Sequence, residues 1–311
     1  MIDTPMDVLR DFPVRKTKQQ KQAFRNAICS YLSSIGYDAT IEKGKYGTHN
    51  IIFGNPDSAR YLVTAHYDTP AVLPFPNLIT PCSILPFLGY QFVLTVLIFL
   101  AALLPGLIFV SFGISAEAAS RIWLLSLYVI LALMLIGPAN KNNANDNTSG
   151  VVTVLEIAGS MPESQRNKVC FVLFDLEEAG LIGSSLYRKT HKTQTDSQIV
   201  LNLDCVGDGN EIMMFPTKKL KSDCDKMKLL RKITGSFGEK SIALRENGFQ
   251  YYPSDQKHFP YGVGIAAFHR SRWAGLYCSR IHTKKDTILE KTNVNIMRAA
   301  IVSLIACDAV K

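Results

Sequence analysis

The chain has 311 residues, enough for one large α/β domain or two small ones. Its formal net charge is +8, but no aromatic-basic interleaving or known binding module accompanies that charge, so nucleic acid is not expected as a partner. The seven cysteines are scattered without CxxC spacing, which argues against a disulfide framework and a thiolate zinc site and indicates a reducing compartment. Residues 1–20 are polar and lack the apolar core of a signal peptide.

Helices and short strands alternate along most of the chain. An amphipathic helix is predicted over residues 18–35, and further helices over 149–158, 179–189, 223–235 and 293–310. Short apolar runs predict strands at residues 50–53, 61–65, 169–174, 199–203, 211–215 and 265–268. This alternation predicts an α/β fold, a three-layer αβα sandwich with a mixed, mostly parallel sheet. Ligands gather at the carboxyl ends of the strands in such sheets.

A long apolar stretch interrupts the alternation. Hydrophobic residues make up 47% of the chain, and the excess is concentrated in residues 71–138. A helix needs about 20 apolar residues to cross a bilayer core, so two transmembrane helices are predicted at about 84–112 and 118–137. Residues 71–138 would then be an inserted hairpin, and residues 1–70 and 139–311 one catalytic domain. The alternatives are a buried hairpin in a large soluble core, or one that seals a dimer.

The charges around this stretch predict its orientation. Two crossings return the chain to the side on which it started, and Lys43, Lys45, Arg60 and Lys141 flank that side. The positive-inside rule therefore places the globular part in the cytoplasm, beneath a cell membrane that the chain crosses twice. Basic clusters within residues 218–232 are explained by a solvated helix face, or by attraction to anionic lipids of the bilayer.

Acidic and imidazole side chains follow three of the predicted strands. His66 emerges at the end of one, and Asp68 points the same way because side chains alternate along a strand, so that its carboxylate can orient the imidazole. Glu177 and Glu178 follow a second strand, where adjacent carboxylates repel unless cations or protons separate their roles. An acidic first helix turn is the alternative. Asp204 ends a third strand.

Two further candidates lie in loops. Asp146 directly precedes a helical pattern, where an N-cap role is the alternative. His282 is followed four residues later by Asp286. Ligation by nitrogen and oxygen suits zinc, and a carboxylate shared by two ions suits a dinuclear hydrolase.

These pieces form an ordered series along the chain. The series is His66-Tyr67-Asp68, Asn145-Asp146-Asn147-Thr148-Ser149-Gly150, Glu177-Glu178-Ala179-Gly180-Leu181-Ile182-Gly183-Ser184, Asn202-Leu203-Asp204, Ser254-Asp255-Gln256-Lys257-His258-Phe259, Gly264-Ile265-Ala266 and Ile281-His282-Thr283 with Asp286-Thr287. In this series the chain resembles the di-zinc aminopeptidases of metallopeptidase clan MH, the group of secreted bacterial leucyl aminopeptidases and glutamate-carboxypeptidase-like enzymes. The resemblance covers residues 20–310 apart from the hydrophobic insert.

The resemblance implies two Zn²⁺ ions per chain, with Co²⁺ or Mn²⁺ as possible substitutes. It implies that Asp146 bridges the ions, that His66 and Asp204 hold one, and that Glu178 and His282 hold the other. Glu177 would be the general base. Asp68 and Asp286 would support the ligands, and His258 would either face the substrate or pack nearby.

The spacing departs from that family, because 79 residues separate His66 from Asp146 where ordinary members have a short loop. Since no ligand is lost, the expected activity is a membrane-anchored, aminopeptidase-type exopeptidase acting on short or hydrophobic peptides at the cytoplasmic membrane surface. Alternatives are a glutaminyl-cyclase-like acyltransferase, a hydrolase of lipid-linked amides and a non-enzymatic membrane scaffold. The direction of cleavage, the preferred side chain and a homo-oligomer are left open.

Overall fold

A ten-stranded mixed sheet forms the centre of the protein, in a computed structural model that describes residues 2–307. The strands are β1 (Ala39–Lys43), β2 (His49–Gly54), β3 (Tyr61–His66), β4 (Val169–Phe174), β5 (Ile199–Leu203), β6 (Glu211–Pro216), β7 (Gly235–Phe237), β8 (Lys240–Leu244), β9 (Gly262–Ser271) and β10 (Gly275–Tyr277). Their order is β1-β2-β4-β3-β5-β9-β6-β8-β7, and β10 pairs with β9.

The four central strands run parallel. They pair as β4-β3-β5-β9, whereas β1 and β2 are antiparallel at one edge, and β6 is antiparallel to β9 towards the other. The predicted parallel character therefore belongs to the centre of the sheet. Because β3, β4 and β5 are parallel neighbours, their carboxyl ends open at one edge, and the chain leaves each of them there.

Helices cover both faces of the sheet, as the predicted three-layer α/β architecture requires. The α-helices of the chain are α1 (Asp7–Asp11), α2 (Lys18–Ser34), α3 (Ile84–Ser111), α4 (Ala116–Ile136), α5 (Gly150–Ser160), α6 (Ile182–Thr190), α7 (Lys192–Thr195), α8 (Lys218–Lys221), α9 (Cys224–Arg231) and α10 (Lys291–Cys307), of which α3 and α4 lie apart from the sheet. Alternate strand residues pack with α2, α5, α9 and α10 in the larger core, and the opposite face packs against α6. A capping box between Thr17 and Gln20 starts α2.

All six predicted strands are present, but several boundaries differ. The helix predicted over 179–189 begins at Ile182, because Gly180 (φ 107°) and Leu181 (φ 59°) have backbone conformations that a right-handed helix cannot include. The helix predicted over 223–235 ends at Arg231, since Gly235 opens β7. The helix predicted over 293–310 is α10, and residues beyond Cys307 lie outside the described part of the chain.

The apolar stretch forms a helical hairpin of α3 and α4 that the rest of the chain leaves uncovered. Within the most apolar 18 residues of each helix, 11% and 0% are buried, although both are long and apolar enough to cross a membrane. Of the 28 exposed large hydrophobic side chains among residues 2–307, 24 lie between residues 84 and 136. This exposure argues against a hairpin buried in a soluble core of the same chain.

The two helices pack directly against each other. Gly106 allows a close approach, because a Cβ there would lie 2.9 Å from the carbonyl oxygen of Ala119. The rings of Phe99 and Trp123 lie 5.9 Å apart across the same interface.

The two ends of the hairpin are joined where they enter the sheet domain. Ala71 and Ala139 form an antiparallel bridge. The amide of Val72 donates to the carbonyl of Pro138 at 2.9 Å. Residues distant in sequence therefore leave and re-enter the domain side by side, close in sequence to His66 at the end of β3 and to the loop that carries Asp146.

Candidate metal centre

Six of the predicted site residues converge at the carboxyl edge of the central strands. His66 is the last residue of β3, and Asp204 directly follows β5. Glu177 and Glu178 lie in a turn after β4, between Leu176 and Leu181, which both have positive φ. They are therefore not in the first turn of a helix, which was the alternative interpretation. Asp146 lies in the loop before α5, and His282 in the loop between β10 and α10.

Asp146 lies between the two imidazoles. Its Oδ1 is 3.2 Å from Nε2 of His66, and its Oδ2 is 2.9 Å from Nε2 of His282. His66 Nε2 is also 3.7 Å from Asp204 Oδ1, and His282 Nε2 is 3.5 Å from Glu178 Oε2. The residues thus form two clusters that share one carboxylate. A Glu177 oxygen lies within 4.8 Å of ligand atoms of His66 and Asp204.

Two further carboxylates hold the backbone around this cluster. Asp68 accepts hydrogen bonds from the amides of Glu177 at 3.0 Å and Glu178 at 3.2 Å, and its Oδ1 lies 3.5 Å from His66 Nδ1. Asp286 accepts from the amides of Asn145 at 2.7 Å and Asp146 at 3.0 Å. Each acid therefore fixes a segment that carries candidate ligands, rather than touching only one imidazole.

The Asp146 loop is held by amide side chains and by one glycine. Asn147 donates to the carbonyl of Leu203 at 2.9 Å and accepts from the amide of Gly150 at 3.0 Å. At Gly150, a Cβ would lie 2.3 Å from the Leu203 carbonyl oxygen, so no larger residue fits without movement. Fully buried Arg15 donates to the Tyr67 carbonyl at 2.5 Å and to Thr148 at 3.1 Å, and so braces both ligand loops.

The concentration of buried charge shifts the pKa values strongly. Burial raises the pKa of Glu178 to about 8, and the neighbouring Asp146 carboxylate adds to the rise. Burial likewise raises the pKa of Glu177 well above its usual range, with Glu178 contributing. Burial alone would lower the pKa of His282, but Glu178 and Asp146 outweigh it and raise that pKa to about 9. Acids held this close favour a cation between them.

The donor set fits zinc. Neutral imidazole nitrogens and carboxylate oxygens are ligands that zinc accepts, and neighbouring ligands on a tetrahedral ion with bonds of about 2.0 Å stand roughly 3.3 Å apart. The four nitrogen–oxygen distances above, 2.9 to 3.7 Å, bracket that value. In addition, Oε1 of Glu178 is buried without a hydrogen-bond partner, as a free ligand atom would be.

Two further side chains lie beside the centre, and the sequence analysis assigned no role to either. Sγ of Cys205 lies 3.2 Å from Oδ1 of Asp204, and its position next to a predicted ligand was the available signal. Asp255 is fully buried with both carboxylate oxygens unpartnered, and burial raises its pKa to about 7. Asp255 belongs to the Ser254–Phe259 piece of the motif series, but its place beside the centre arises from tertiary packing.

A cavity of about 220 Å³ opens onto the cluster. Besides the acids and imidazoles, its wall contains Ile79, Phe87, Tyr251, Tyr252 and Ile281. Phe87 belongs to the first turn of α3, and its ring lies 5.1 Å from that of Tyr251. The hairpin therefore contributes directly to the cavity. His258 is half-buried and is not among the residues that line this cavity.

The model of peptidase family M28 matches residues 130–305, more than half of the chain. The chain belongs to peptidase family M28. The match contains Asp146, Glu177, Glu178, Asp204 and His282, whereas His66 precedes it. Membership confirms the resemblance inferred from the motifs and the assignment to the zinc-dependent metallopeptidases. No curated protein matches the sequence.

Solved structures support the M28 fold. The LapA aminopeptidase of Legionella pneumophila is similar with a TM-score of 0.55 and 14% identity over 97% of this chain and 70% of that one. The glutaminyl cyclase of Macrostomum lignano is similar with a TM-score of 0.50 and 13% identity over 99% of this chain and 90% of that one. At such identities the likeness establishes the α/β fold and carries no information about substrate.

Proposed function

We propose that this M28 protein is a membrane-anchored aminopeptidase with two zinc ions, acting on peptides with an apolar amino-terminal side chain. The observation that carries this proposal is the position of Asp146, whose two oxygens face His66 and His282 separately. Asp146 would bridge the ions, His66 and Asp204 would complete one site, and Glu178 and His282 the other. Zinc is expected, with cobalt or manganese as substitutes.

Glu177 is the proposed general base. When bound, zinc lowers the pKa of water and offers positive charge to the oxygen of a scissile carbonyl. Glu177 lies beside His66 and Asp204 without accepting a hydrogen bond from either imidazole, so its carboxylate is free to take a proton from the attacking water. It then delivers that proton to the leaving amine as the carbon–nitrogen bond breaks. Asp68 holds the backbone of Glu177 during both transfers.

The substrate preference is proposed from the cavity wall. Phe87, Ile79 and Tyr251 present apolar surface a short distance from the acids, and a cavity of about 220 Å³ has room for one side chain rather than a folded segment. Burying an apolar side chain there stabilises the complex by removing it from water. Short hydrophobic peptides are therefore the proposed substrates, with lipid-linked amides as the alternative class.

The uncovered helices α3 and α4 support the proposed anchor. Their apolar surface is exposed on nearly every side, and their two ends join the sheet domain side by side. A bilayer would cover that surface, and two crossings would leave the sheet domain on one side. The flanking lysines favour the cytoplasmic side. A dimer that buries the same helices is the competing explanation.

Detergent-purified protein with zinc should hydrolyse leucyl-p-nitroanilide but not its N-acetylated form, since an aminopeptidase requires the free amine. Cleavage of the blocked substrate alone would reject the aminopeptidase, hydrolysis only of an N-blocked peptide with a free carboxyl terminus would reverse the direction, and cyclisation of an amino-terminal glutamine without hydrolysis would favour a cyclase. Absence of any hydrolysis with zinc, cobalt or manganese would reject the peptidase. For the anchor, a carbonate wash should leave the protein in the membrane pellet; release into the supernatant would reject it.

A further inference from the structure

A second cleft lies beside the hairpin, outside the candidate metal centre. Its two lobes have volumes of about 550 and 540 Å³, and they are adjacent, because Leu73, Pro74, Phe75 and Lys284 line both. The segment that includes Leu73 lies between the end of α4 and the loop that carries His282. Its position is fixed by Val72, whose amide donates to Pro138, and by Leu73, whose amide donates to the His282 carbonyl at 2.7 Å.

The two lobes differ in chemistry. One is apolar, and Ile130, Leu133 and Met134 of the last turns of α4 line it together with Pro138. The other is basic, and Arg280, Lys284 and Lys285 line it. Asp208 neutralises Arg280 through contacts of 2.7 and 2.8 Å. Lys284 and Lys285 are exposed and form no ion pair within residues 2–307, and no acidic residue lines either lobe.

We propose that this cleft binds one anionic phospholipid of the bilayer, with its headgroup phosphate at Lys284 and Lys285 and an acyl chain along Leu133 and Met134. The inference rests on the proposed membrane insertion of α4, whose last turns would then lie at headgroup level. Lysine ammonium groups above an apolar wall complement an amphiphile that carries its negative charge at one end. A zwitterionic lipid offers no net charge to these two lysines.

The site is also connected to the metal centre. Lys284 lies two residues after His282, and its carbonyl accepts a hydrogen bond from Asn142 at 2.7 Å. Asn140 at the second hairpin root donates to the neighbouring Thr283 carbonyl at 2.9 Å. An occupied cleft therefore adds contacts to the loop that carries a proposed zinc ligand.

Native mass spectrometry of the full-length, zinc-loaded protein in detergent tests the site with added phosphatidylglycerol or phosphatidylcholine. One phosphatidylglycerol should be retained per chain, in preference to phosphatidylcholine. The double variant Lys284→Gln/Lys285→Gln should retain it roughly 30-fold less, given the usual attraction of each lysine to an anionic headgroup. Filling the apolar lobe with Leu133→Trp should reduce retention independently of charge.

Matched controls decide the outcome. Lys43→Gln/Lys45→Gln removes the same charge from exposed positions elsewhere, and Leu131→Trp adds the same ring to α4 outside the cleft; both should retain phosphatidylglycerol. Equal retention of the two lipids, or equal loss in the controls, would overturn the proposal. If inorganic phosphate displaces the lipid, and Leu133→Trp binds phosphate as well as the wild type does, the proposal is overturned in favour of a site for free phosphate. Carbonate extraction of each variant separates a missing lipid site from a missing anchor, and zinc content verifies the fold.

Discussion

The carboxylate of Asp286 accepts a hydrogen bond from the backbone amide of Asp146 at 3.0 Å. Because Asp286 also accepts one from the amide of Asn145, it fixes the direction in which the Asp146 side chain leaves the loop. The loop of the last candidate ligand, His282, thus also orients the proposed bridging carboxylate.

Asp286→Asn should weaken zinc binding. An amide side chain keeps one acceptor oxygen where the carboxylate has two, so one of the two backbone amides loses its partner. We expect zinc affinity to fall roughly 10–100-fold, as for other residues that orient metal ligands. Titration against a competing chelator measures this change. Asp225→Asn, at a side chain that is 92% exposed, is the control, and unchanged affinity in Asp286→Asn would contradict the assigned role.

Glu177→Gln should separate catalysis from metal binding. The amide keeps the size of the side chain but cannot accept a proton, so kcat should fall roughly 10²–10⁴-fold with zinc content unchanged. Steady-state kinetics and metal analysis of the same preparation provide both values. Exposed Glu163→Gln should retain full activity. Loss of zinc in Glu177→Gln would make Glu177 a ligand instead of a base.

Removing metal should lower the melting temperature. Without cations, the buried acids around Asp146 and Glu178 repel one another. In addition, a ligand whose free concentration is about 100 times its Kd stabilises the folded state by about 2.7 kcal/mol. We expect chelation to lower Tm by several degrees and zinc, but not magnesium, to restore it. Calorimetry or thermal scanning measures the shift. A His282→Ala variant should show a smaller zinc response; an equal response would place the ion elsewhere.

Phe87→Ala should reduce the preference for large apolar side chains. The ratio of kcat/KM for leucyl over alanyl substrates should fall about tenfold, within the range expected for lost apolar contacts in a pocket. Phe92→Ala on the same helix is the control, because that side chain is 71% exposed and lies outside the cavity. If both variants hydrolyse with an unchanged ratio, the hairpin does not set selectivity.

Excising the hairpin should leave a soluble, zinc-binding domain. Val72 and Pro138 are hydrogen-bonded neighbours, so a two- to four-residue glycine-rich turn can replace residues 73–137. We expect the shortened protein to stay in the supernatant after lysis and to bind zinc, while losing selectivity for apolar substrates. The control is a variant in which only the loop at Gly113 is lengthened, and it should bind zinc like the wild type. If the excised variant aggregates while this control binds zinc normally, the hairpin is part of the domain core.

The candidate site was predictable where chemistry follows strand geometry. His66 and Asp204 end apolar strands that are unmistakable in sequence, and parallel pairing then brings the strand ends together. The turn at Glu177 was harder to predict from the sequence. It keeps the helix from starting earlier partly through Leu181, whose left-handed conformation is one that leucine seldom adopts. Sequence propensity favoured extending the helix back to Ala179.

Outer strands and long-range neighbours escaped prediction for other reasons. β1 at one edge of the sheet and β8, the second strand from the other edge, are half-buried and carry mixed polar and apolar residues, so neither gives a clean alternation. The place of Phe87 in the cavity wall depends on how α3 meets the sheet domain, which no local pattern encodes. In the sequence, Phe87 looks like any other apolar residue of α3.

The interruption between His66 and Asp146 also imposes an order on synthesis. A ribosome completes the strand that ends in His66 first, and every other proposed ligand emerges only after both helices have been made. In the folded chain, Ala71 pairs with Ala139 near the two segments that bring His66 to the shared carboxylate of Asp146. We therefore expect the metal centre of a nascent chain to become complete only after both helices of the proposed anchor have been made.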